Sequence, residues 1–198
     1  MSLEKPWKKD FRNLLNQMKA EWGGEIAEVK ENPNDSRGFS GPATRYLYPE
    51  YKSKFEDHLI YVDISEWPSL RKGMYDSADN VEFLRIKVYK KSDHKIIISQ
   101  EGFADRFLKA LKISWEFQTG NEEFDKKYFV EPRSEKDKEL LKNSNLQSLI
   151  QELEPFSEFA IHSSQIHWSQ EISDGGQISF ENVKGHMEIL INIAKMIN

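Results

Sequence analysis

Leu84, Ile86 and Val88 alternate with Arg85 and Lys87 across Glu82 to Tyr89. Side chains of a β-strand point to opposite faces in turn, so this run has one apolar face and one charged face. A strand with one wet face belongs to an antiparallel sheet covered on one side, not to a parallel sheet buried on both. The alternation recurs over His58 to Ile64, where His58, Ile60, Val62 and Ile64 oppose Leu59, Tyr61 and Asp63. Lys90 to His94 is a polar turn, and Lys95 to Ser99 reads as a return strand, so the two runs are predicted to form a hairpin. Phe159 to Ile161 and Ile166 to Ile172 also read as strands. Ser173-Asp174-Gly175-Gly176 then predicts a tight turn with Gln177 to Phe180 as its return strand.

Helical spacing appears between these runs. Phe11, Leu14, Leu15 and Met18 recur at i, i+3, i+4 and i+7 within Trp7 to Trp22, and Gly23-Gly24 ends the pattern. Glu101 to Ile113 puts Phe103, Phe107, Leu108 and Leu111 on one side. Ser134 is a good N-cap with Asp137 three residues on, and Ser144 with Gln147 repeats the device. This predicts one interrupted helix or two short ones, broken at Asn143. A terminal amphipathic helix over Val183 to Ile197 carries Val183, Met187, Leu190, Ile191, Ala194 and Ile197 as its stripe. Strands precede a helix in both Val81–Ile113 and Ile166–Ile197, which hints at a hairpin-plus-helix pseudo-repeat. The expected fold class is α+β: one antiparallel sheet, or two related ones, with helices packed on one side. Residues 1–198 are expected to form a single domain, with 1–22 a peripheral N-terminal helix.

Composition narrows the function classes. At 198 residues and 12% aromatic content the chain can build a sizeable core. Net charge of −5 argues against a general nucleic-acid binder, which would show a basic face. The chain has no cysteine, which excludes disulfides, a thiolate zinc site and a cysteine nucleophile. No run approaches the roughly 18 apolar residues of a membrane span. Phosphate-binding glycine loops, a G-x-S-x-G elbow and an H-E-x-x-H helix are all absent. No cofactor is called for. Met1-Ser2-Leu3 reads as a start left by cloning, so a natural chain with a preceding anchor is compatible with it.

Two groups of residues stand out as candidate sites. Tyr46, Tyr48 and Tyr51 beside Arg45 offer a binding surface of rings and hydroxyls, though such tyrosines also cover core edges. His162, His167 and Glu171, with Asp174 nearby, offer a divalent-metal site if a turn at Ser163-Ser164 brings the imidazoles together. Lys5, Lys8, Lys9 and Arg12 make the first helix basic at its start, as a contact with acidic lipid would need. Asp125 is a ligand or base by residue type, and a turn-capping side chain by its position after Thr119-Gly120-Asn121.

Gly120, Phe124-Asp125 and Phe129-Val130, followed by Leu140-Leu141 and Leu149-Ile150, resemble a pattern of the form TGDxxFDxxFxV. That pattern recurs in a family of bacterial proteins containing a domain of unknown function. The likeness covers about the last half of the chain. Asn121 stands where the family usually has an acid, and Glu131-Pro132 where it usually has a small turn. The resemblance implies no catalytic residues. It implies a cytoplasmic domain, membrane-tethered in some members. The expected function is a non-enzymatic binding or protein-interaction domain with an unknown protein partner. A metal-dependent hydrolase at His162, His167 and Glu171 is the alternative. A third is an acidic, antitoxin-like protein masking a basic partner.

Overall fold

One residue from each of eight strands forms a single row across the sheet. Ile26, Tyr51, Val62, Ile86, Trp168, Phe159, Ile98 and Val130 each pair with the next. All eight point to the apolar face, as the alternation in the strands requires. The structure, a computed structural model, describes residues 7–28, 48–68, 80–100, 117–173 and 178–197.

In chain order the described elements are α1 (Trp7–Trp22), β1 (Glu25–Glu28), β2 (Pro49–Phe55), β3 (His58–Pro68), β4 (Asn80–Tyr89) and β5 (Ile96–Gln100). There follow α2 (Glu122–Lys127), β6 (Tyr128–Pro132), α3 (Glu135–Leu141), α4 (Ser144–Glu152), β7 (Glu158–Ile161), β8 (Gln165–Glu171) and α5 (Phe180–Met196). The strands form one sheet in the order β1-β2-β3-β4-β8-β7-β5-β6, and every neighbouring pair is antiparallel. The fold is α+β, with one antiparallel sheet and helices on its apolar face.

Two predicted hairpins are corrected. β4 and β5 follow each other in the chain but do not pair, because the β7–β8 hairpin lies between them. The polar turn after Tyr89 marks where the strand ends, not which strand becomes its neighbour. Here the linker crosses the tip of the inserted hairpin: Lys90 N donates to Ser164 O at 3.0 Å and Ser92 N to Ser163 O at 3.1 Å. Of the predicted return strand Gln177 to Phe180, Gln177 lies outside the described residues and Ile178 to Phe180 do not form a strand. β8 already has β4 on one side and β7 on the other. Ser179 instead caps α5, its side chain accepting from Asn182 N, and the helix begins at Phe180. The pseudo-repeat therefore lacks both of its hairpins. Its first helix, Glu101 to Ile113, lies outside the described residues.

α1 is not peripheral. Trp7, Phe11, Leu14, Leu15 and Met18 are buried and belong to the same core as the sheet and α5. The Tyr51 hydroxyl, on the apolar face of β2, donates to Gly23 O at 2.9 Å and so ties the end of α1 to the sheet. On α5, His186 packs its ring 4.5 Å from that of Trp168, whose indole N–H donates to Leu153 O at 3.0 Å. Between α3 and α4 the chain breaks at Asn143 as expected. Asn143 itself, rather than Ser144, is the N-cap, accepting from Asn145 N and Leu146 N.

Candidate functional site

The opposite face of the sheet carries the polar alternates of the same strands. Lys52, Tyr61, Lys87 and His167 form one row across β2, β3, β4 and β8. Asp63, Arg85, Ser169 and Glu158 form the next, across β3, β4, β8 and β7. Residues of adjacent rows sit two apart along each strand and share a face.

Asp63 is the centre of this surface. Arg85 donates to it through Nε at 2.6 Å and Nη2 at 2.8 Å, and Lys87 Nζ at 2.7 Å. The side chain is only 9% exposed. Burial alone would push its carboxyl up. Arg85 and Lys87 outweigh that and hold it below its usual value of 3.8. Glu50 on β2 lies within the same field, and its carboxyl is pushed up by burial first and by Asp63 second. Beside the ions, the rings of Tyr61 and Tyr89 lie 5.0 Å apart, tilted by 50°. Lys52 Nζ sits 5.6 Å from the Tyr61 ring centroid. Tyr89 is 40% exposed, the one large hydrophobic side chain among the described residues to stand so far into solvent. Farther along the same face, over β5 to β8, Ser99, Phe129, Ala160 and Ser169 are buried. Asp63 and Phe83 are buried on this face too, so its most accessible part is the end of β2 to β4 that carries Lys52, Tyr61 and Tyr89.

Of the tyrosines singled out in the sequence, Tyr48 and Tyr51 sit elsewhere. Tyr51 is fully buried on the apolar face and Tyr48 is buried against Trp7, ring centroids 5.2 Å apart. Their clustering serves packing beneath α1. Arg45 and Tyr46 lie outside the described residues. The alternation of Tyr51 with Lys52 and Lys54 is the sequence signal that assigns it inward.

His162 and His167 are brought to one face, because the turn at Ser163-Ser164 leaves His162 just past the end of β7 and His167 within β8. His162 N donates to Gln165 O at 2.8 Å, closing the turn, and Ala160 pairs with His167. His162 has its pKa lowered, by burial first and by His167 next. His167 Nδ1 lies 3.4 Å from Glu158 Oε1, and its buried Nε2 has no hydrogen-bond partner among the described residues. Glu171 is four residues from His167 along one strand, about 13 Å away at ~3.3 Å per residue, too far to share an ion. Among the described residues no three His, Asp or Glu side chains are placed to hold a metal ion. Asp174 lies outside the described residues.

The Thr119–Val130 stretch is built as a structural bracket. Asp125 accepts from Thr119 N at 2.8 Å, Thr119 Oγ1 at 2.7 Å and Gly120 N at 3.1 Å. Gly120 has φ of +90°, which suits glycine and strains other residues. Asn121 caps α2 and donates to Gln147 Oε1 at 2.7 Å, and Gln147 donates in turn to Leu141 O at 2.7 Å. α2 itself went unread in the sequence. Its signals were present: an Asn cap, Glu122, Glu123 and Asp125 in the first turn, Lys126 and Lys127 in the last. The Asp63–Arg85–Lys87 cluster was also missed, because register across strands brings it together and spacing within one strand does not.

Comparison of the chain with protein-family models, curated proteins and solved structures finds no match.

Proposed function

We propose that the chain is a non-enzymatic binding or protein-interaction domain, with the outer face of β2 to β4 as its contact surface. The observation that carries this reading is Tyr89, an exposed aromatic seated on Tyr61, whose ring has Lys52 over it and Lys87 opposite it in register. Tyrosine and arginine are enriched at the energetic centres of protein interfaces, where a ring gives contact area and a hydroxyl or guanidinium gives direction. The bidentate Arg85–Asp63 pair holds its side chains in one geometry, so little ordering is left to be done on binding. The resemblance of Thr119–Val130 adds a bacterial, cytoplasmic setting within reach of a membrane. No helix among the described residues is long and apolar enough to cross one.

Affinity purification from cells that express the protein natively, comparing wild type with Tyr89→Glu, tests the reading. A partner that wild type retains and Tyr89→Glu loses, with unchanged thermal stability, supports it. A partner retained equally by both moves the interface elsewhere. The hydrolase alternative is tested by thermal unfolding with zinc or manganese. A raised midpoint that disappears in His162→Ala, by mass action on the folded state, would replace the interaction reading with a metal site.

A further inference from the structure

We draw no further inference here: the strongest candidate, the Tyr61–Tyr89 pair with Lys52, Lys87 and Glu50 on the outer face of β2 to β4, belongs to the surface already described, and with both charge signs around the rings nothing in the structure shows which partner covers it.

Discussion

Asp63 neutralises two cations, so replacing it does more than remove one contact. Asp63→Asn leaves Arg85 and Lys87, 25% and 18% exposed, facing each other without a carboxylate between them. Breaking one side of a largely buried ion cluster strands the remaining charge, and a loss of about 3 kcal/mol in urea unfolding at pH 7 is expected. The pH dependence has a definite sign. A carboxyl held below its unfolded value stabilises the fold above that value, and the contribution is lost as pH falls through the depressed folded value. The gap between wild type and Asp63→Asn is therefore expected to hold steady from pH 7 to about pH 5 and to close only below the usual carboxylate range. A gap that closes near neutrality would contradict the assignment. His186 acts in a different window. Burial against Trp168 pushes its pKa down to about 4, from an ordinary value of 6.5. Between those two values the unfolded chain binds the proton that the folded chain refuses, so stability falls as pH drops from 6.5 toward 4. His186→Phe removes the titrating group. Its unfolding midpoint is expected to stay flatter than wild type across that interval, measured by thermal melts at half-unit steps.

At the scale of single elements, two glycines with opposite roles give a paired test. Gly185 sits inside α5 with open space where a Cβ would lie. Gly185→Ala is expected to stabilise by about 1 kcal/mol, raising the melting midpoint by ~2–4 °C for a chain of this size. Gly24 has φ of +85°, and an added Cβ would meet Lys52 O at 2.5 Å. Gly24→Ala is expected to lower the midpoint, because both the backbone conformation and the approach of β2 require its absence. Equal effects from the two would sink the argument. The same elements show what a sequence can display. α1 is legible because Phe11, Leu14, Leu15 and Met18 state a helical period locally, and all four are buried. β4 is legible because Leu84, Ile86 and Val88 state a strand period, and all three are buried. β2 was missed because only Tyr51 and Phe55 are apolar among its inward or end positions, with Ser53 between them. Pairing is not legible in either period. Nothing within β4 or β5 says that Ile86 will sit beside Trp168 and Ile98 beside Phe159. The proposed contact surface shares that limit, since Asp63 meets Arg85 and Lys87 only once β3 and β4 are in register.

For the whole molecule, the inserted hairpin decides how the sheet holds together. β1 to β4 form one run and β5 with β6 another, and within the sheet β7 and β8 are the link between them. Trp168 stands at the middle of that link. It pairs with Ile86 on one side and Phe159 on the other, contacts His186 on α5, and donates to Leu153 O beyond α4. Removing a fully buried tryptophan leaves a large cavity, and Trp168→Ala is expected to cost on the order of 4 kcal/mol. If the hairpin binds both runs into one cooperative unit, that loss is shared across the sheet, because β4 borders β8 and β5 borders β7, so each run loses its central neighbour when the hairpin unfolds. Amide hydrogen exchange at Val62 in β3 and Ile98 in β5, followed in wild type and in Trp168→Ala, reads this directly. The expected result is the same drop in opening free energy at both amides. Exchange that accelerates at Ile98 while Val62 keeps its wild-type protection would mean that β1 to β4 and their covering helices stand alone. The proposed contact surface over β2 to β4 would then belong to a unit that folds without the hairpin, and the ion cluster at Asp63 would survive the loss of β8.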